Sequence, residues 1–105
     1  MRTAKIKDMK KGWFVGNFTP SLYKTEAVEA AVKQFKAGEV EPSHYHKIAT
    51  EITVVVSGKV RMFNKVWESG EIIIADPGDR TDFDAITDTI LTVVKIPGVL
   101  HDKYM

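Results

Sequence analysis

The segment His44-Tyr45-His46-Lys47-Ile48-Ala49-Thr50-Glu51 holds three side chains of the kinds that bind metal ions, two imidazoles and a carboxylate. Two of the chain's 3 histidines sit here, two positions apart. On a β-strand, residues i and i+2 project from one face, so His44 and His46 would present both rings to the same side. Glu51 opens an apolar run, Ile52-Thr53-Val54-Val55-Val56, and alternation gives it the same face as Thr53 and Val55. If this strand pairs with the histidine strand, Glu51 meets the two imidazoles in one interior. An unpaired carboxylate there would cost on the order of several kcal/mol, which a bound cation would offset. Two histidines and one carboxylate suit a divalent first-row ion such as Fe, Mn, Ni or Zn. Two readings need no metal: surface histidines with a solvated glutamate, or a Glu51–histidine pair.

The elements that would position these residues are short and β-rich. From Gly38 onward, β-branched runs alternate with turn signals, the pattern of an all-β sandwich or barrel. Residues 51–56 and 59–63 are expected to form a hairpin around Ser57-Gly58. Asn64-Lys65 is a second turn, followed by a short strand at Val66-Trp67 and another over residues 71–75. Asp76-Pro77-Gly78-Asp79 is a strong turn signal. Residues 81–86 and 89–96 supply the last two strands, and Pro97-Gly98 ends regular structure. Residues 25–36 are ambiguous: alanines, glutamates and an N-cap threonine favour helix, whereas Val28, Ala30 and Val32 alternate as in a strand.

These residues carry a resemblance. Gly38, His44, His46, Glu51 and Gly58 match the first cupin motif, G-x5-H-x-H-x4-E-x6-G, at every specified position. The second motif, G-x5-P-x-G-x2-H-x3-N, is degenerate. Gly70 and Gly78 are in place, Asp76 stands at the proline position with Pro77 after it, Thr81 replaces the histidine and Ala85 the asparagine. The chain therefore resembles a small single-domain cupin over residues 27–97. The resemblance implies an antiparallel β-barrel or jelly-roll sandwich with a strand over Val28–Phe35. It divides the chain into an N-terminal arm (1–26) on a barrel edge or a partner subunit, the barrel (27–97) and a C-terminal tail (98–105).

The same resemblance makes His44, His46 and Glu51 the metal ligands and leaves the fourth position to Thr81, a poor ligand when neutral. Asp82 is expected to turn away unless a bulge brings it in. Thr53 and Arg61 are further candidates for the cavity; an inward Arg61 guanidinium would favour an anionic substrate, and the alternative is an arginine solvated at the surface. Tyr45 is expected to point outward, and His101 to lie on the surface. Trp13, Phe14, Phe18 and Tyr23 suggest an arm used in homodimer contact. The functional expectation is a metal-binding cupin, a metal-dependent enzyme on a small molecule; the alternative is a non-catalytic metal- or ligand-binding module.

Composition bounds the rest. At 105 residues the chain fits one domain. Fifteen basic against fourteen acidic residues give a formal charge of +1, without the basic excess of a nucleic-acid or membrane-surface binder. The absence of cysteine removes disulfides, thiolate metal sites and thiol nucleophiles. No apolar run is long enough to span a bilayer or follows the basic N-terminus as a signal segment, so a cytoplasmic protein is expected.

Overall fold

Antiparallel pairs nest inside one another along the chain, so that it folds as one long hairpin wound into a roll. The computed structural model describes all 105 residues. Its strands are β1 (Trp13–Val15), β2 (Glu29–Phe35), β3 (Val40–His46), β4 (Thr50–Ser57), β5 (Lys59–Met62), β6 (Lys65–Glu68), β7 (Ile72–Ala75), β8 (Thr81–Ala85), β9 (Thr89–Ile96) and β10 (Lys103–Tyr104). β2 pairs with β9, β3 with β8, β4 with β7, and β5 with β6 at the tip. The result is two five-stranded sheets, ordered β1-β2-β9-β4-β7 and β10-β3-β8-β5-β6. No helix is long and apolar enough to cross a membrane.

The ambiguous N-terminal segment is a strand. β2 is hydrogen-bonded on both edges, to β1 and β9, and that pairing overrides its helical propensity. Its inward residues are Glu29, Ala31, Lys33 and Phe35, so the alternating Val28, Ala30 and Val32 belong to the opposite face.

The expected hairpin between residues 51–56 and 59–63 does not form. Ser57-Gly58 instead carries the chain from one sheet to the other: β4 pairs with β7 and β9, and β5 with β6 and β8. Val55 on β4 and Val60 and Met62 on β5 are all buried, and they pack face to face across the roll. The tight hairpin lies one step later, at Phe63-Asn64, whose φ values of 51° and 57° are those of a two-residue type I′ turn. Gly58 has φ 92°, and a Cβ there would collide with the Asp88 carbonyl oxygen and the Thr89 hydroxyl. Gly58→Ala is therefore expected to lower stability by about 1–3 kcal/mol, read as a fall in the urea midpoint at unchanged slope.

The core joins both sheets. Ala31, Val55, Ile73, Leu91 and Val93 face Val60, Met62, Phe83 and Ala85, and the Phe35 and Phe83 rings meet at 4.6 Å between centroids. Beyond this apolar region the interior of the roll is polar.

Candidate metal centre

His44 and His46 occupy the inner face of β3, as strand alternation requires. Their rings lie edge to face with centroids 5.6 Å apart. Glu51 stands near the start of β4, in the other sheet, opposite Lys95 of β9 and Ala75 of β7. The histidine and glutamate strands do not pair, so the condition set for their meeting through adjacent strands is not the one the fold uses. The three side chains meet across the interior because β3 and β4 belong to facing sheets. One ligand atom from each of His44, His46 and Glu51 lies within 4.8 Å of the others, close enough for small side-chain rotations to bring them to one ion.

Their surroundings favour metal binding. His44 Nδ1 is 3.0 Å from the Pro42 carbonyl, a contact that assigns the proton to Nδ1 and leaves Nε2 free as a donor atom. His46 is buried, and that burial holds its pKa below the ordinary 6.5; Glu51 opposes the shift, while Lys95 and His44 add to it. A neutral imidazole is the form that coordinates a metal. The donor set and its chemistry thus fit a divalent first-row ion with positions left for other ligands.

The segment between His46 and Glu51 is held from the C-terminal tail. The Asp102 carboxylate accepts the backbone N–H groups of Lys47 (3.1 Å), Ile48 (3.1 Å) and Ala49 (2.9 Å). Burial would raise the Asp102 pKa, but these three bonds and the nearby His46 outweigh it and hold the carboxyl below the usual carboxylate range. β10 continues from Asp102 and pairs Lys103 with His46. The Gly78 N–H, from the β7–β8 turn, donates to the His46 carbonyl at 2.7 Å. His101, as expected, is exposed.

Thr81 sits directly across from His44 in the β3–β8 register. Its hydroxyl accepts the Phe63 N–H at 2.8 Å and donates to the Asp82 carbonyl at 2.8 Å, so its hydrogen is committed to the backbone. Thr53, Thr81 and Asp82 line the cavity that also holds His44, His46 and Glu51. Arg61 does not. It is exposed on the outer face of β5, because the neighbouring Val60 and Met62 take the inner positions. Tyr45 points away from the histidines and packs on Tyr104 at 5.6 Å, with the Arg80 guanidinium 4.6 Å from its ring centroid.

The cavity measures 340 Å³ and has a charged wall that sequence reasoning missed. Glu29, Lys95 and Glu51 are consecutive cross-strand neighbours on β2, β9 and β4. Lys95 Nζ lies 3.4 Å from Glu29, and Lys33 Nζ lies 3.9 Å from Glu41. Burial pushes the Lys33 ammonium below the ordinary lysine range, with Glu41 and Glu51 pulling the other way. Trp13 and Phe18 bring the N-terminal arm into this wall. The available signal was charge at regular strand spacing: Glu29 and Lys33 four apart on β2, and Lys95 inside an apolar run.

No family model and no curated protein matches the chain. Solved structures do. A Klebsiella pneumoniae protein with a double-stranded β-helix domain is 23% identical, with a TM-score of 0.66 over 70% of this chain and 66% of that one. An RmlC-like cupin from Shewanella frigidimarina is 22% identical, with a TM-score of 0.64 over 74% and 72% of the two chains. DMSP lyase DddQ from Ruegeria pomeroyi is 18% identical, with a TM-score of 0.66 over 85% of this chain and 46% of the lyase. The chain thus spans just under two thirds of the first of these structures and less than half of the lyase. These likenesses define the class: the chain has the cupin fold, a double-stranded β-helix. Within that fold it is a small chain with a His-His-Glu cluster in place.

Proposed function

We propose that this protein binds a divalent first-row metal ion through His44, His46 and Glu51 and is a metal-dependent enzyme acting on a small anionic molecule. The observation that carries the reading is the convergence of the three ligand atoms within 4.8 Å on the wall of a cavity. When bound, such an ion supplies Lewis-acid polarisation or a site for dioxygen. The chain's own residues supply the rest. His44 offers its Nε2, His46 offers an imidazole held neutral by burial, and Trp13 and Phe18 cover one side of the cavity. Glu29, Lys33 and Lys95 give it the groups that proton transfer needs beyond the ligands themselves. That supply favours an enzyme over a passive module. Elemental analysis of protein purified without chelator is expected to find stoichiometric metal; protein that neither retains nor takes up such an ion would refute the reading.

A homodimer is part of this proposal, through the sheet surface and not through the arm. Trp13 and Phe18 are occupied in the cavity wall, which leaves Tyr23, 55% exposed, as the arm's open aromatic. The outer face of β4 and β7 has Ile52 opposite Ile74 and Val54 opposite Ile72. Ile72 and Ile74 are 60% and 57% exposed on the edge strand β7. A charge-free apolar face on an open edge suits isologous pairing with a second copy. Light scattering at micromolar concentration is expected to give a dimer mass for the native chain and a monomer mass for Ile74→Asp. A native monomer would refute the pairing.

A further inference from the structure

The charged wall beside the proposed ligands poses a hydrogen-bonding problem. Glu29 is 5% exposed, and its Oε2 is buried without a hydrogen-bond partner. Lys33 and Lys95 have side chains only 16% and 14% exposed. Their contacts of 3.9 Å with Glu41 and 3.4 Å with Glu29 are longer than the 2.7–2.9 Å of a charge-assisted hydrogen bond. Both ammonium groups also lie 5.2 Å from the centroid of the Trp13 ring. Buried polar groups in native proteins are normally satisfied, and those that are not require an account.

The three groups lie on the cavity side of one sheet. Glu29 and Lys95 share the cross-strand row that continues to Glu51, so the wall begins one strand away from a proposed metal ligand. Lys33 follows two inward positions along β2, with Ala31 between them. Two donors of positive charge and one acceptor of negative charge therefore face the same space as the His-His-Glu cluster.

We propose that Glu29, Lys33 and Lys95, backed by Trp13, form a ligand subsite that takes a hydroxyl-bearing carboxylate. The carboxylate of such a ligand accepts from the two ammonium groups, and a hydroxyl donates to the Glu29 carboxylate. A simple fatty acid would leave the Glu29 oxygen unpaired, and a neutral polyol would leave the lysines so. The ligand class is thus a small hydroxy acid. This assignment rests on the proposed function for the metal at the other side of the cavity, but the wall itself is made of this chain's own side chains.

The test is calorimetric titration of the metal-loaded protein with three six-carbon probes, D-gluconate, D-sorbitol and hexanoate, with metal content measured on each sample. Gluconate is expected to bind at least about tenfold more tightly than either of the others, the effect of one charge-assisted hydrogen bond. Lys33→Gln is expected to weaken gluconate and hexanoate about tenfold while leaving sorbitol unchanged. Glu29→Gln is expected to weaken gluconate and sorbitol more than hexanoate. Circular dichroism establishes that each variant folds, and Lys33 is the position of choice because its removal leaves the Glu29–Lys95 pair whole. Equal affinity for the three probes, or gluconate binding unaffected by Lys33→Gln, overturns the subsite. If the protein takes up no metal, the proposed function fails, and the same titration of the metal-free protein decides the wall: a gluconate preference upholds it, and equal binding overturns it.

Discussion

His46→Ala is expected to weaken metal binding by at least about a hundredfold, the upper end of what even an outer-shell partner costs at such sites. The argument rests on position. His46 is the most enclosed of the three ligands, 6% exposed, on a strand fixed by β10 on one side and by the Gly78 bond to its own carbonyl. No other histidine can replace it: His44 is already in the set, and His101 is exposed on the tail. Glu51→Gln is expected to give a loss of similar size, because the amide keeps the shape of the side chain and removes the charge that balances the cation. Competition titration with a chromophoric chelator measures both. Arg61→Ala serves as the control, since Arg61 projects from the outer face, and its affinity is expected to match that of the native chain. A His46→Ala protein that holds metal as tightly as the native chain would remove the ligand set.

How far the centre was legible in the sequence depends on which physical regularity each residue obeyed. His44, His46 and Glu51 follow the two-residue period of a strand, so their common interior was readable. That they reach it from facing sheets was not, because pairing is a property of the whole roll and Ser57-Gly58 looks locally like a hairpin turn. Arg61 was left open between cavity and surface, although the alternation Lys59-Val60-Arg61-Met62 puts the apolar residues inside. Glu29 and Lys33 were overlooked for the opposite reason. The inner parity of a strand is ordinarily apolar, so their charges read as solvent-facing until β9 placed Lys95 beside Glu29 and the arm placed Trp13 over both lysines. Thr81 stood where a histidine was expected, and only its bonds to Phe63 and Asp82 show that its hydroxyl serves the backbone. The tail gave no signal at all. Eight residues without periodicity do not announce contacts made with positions more than fifty residues earlier.

Those contacts make Asp102 the residue whose loss should be felt most widely. Asp102→Ala is expected to destabilise the protein by about 3 kcal/mol, since one buried carboxylate satisfies three backbone N–H groups and its removal leaves the buried Ala49 donor unpaired. The effect reaches the metal centre because those N–H groups belong to Lys47, Ile48 and Ala49, the link between His46 and Glu51. Metal affinity is therefore expected to fall with stability in this variant, whereas Gly58→Ala lowers stability alone. The pH dependence follows from the direction of the Asp102 shift. Its folded pKa lies below the ordinary 3.8, so the unfolded chain binds a proton first as the solution is acidified. The stabilisation is present in full above the unfolded value and is lost as the pH falls through the folded one. Urea midpoints measured from neutral pH into this acid range are expected to drop for the native chain and to drop less for Asp102→Asn, whose amide oxygen still accepts from part of the link without titrating. Parallel pH curves for the two proteins would show that the carboxylate does not anchor the segment between the ligands.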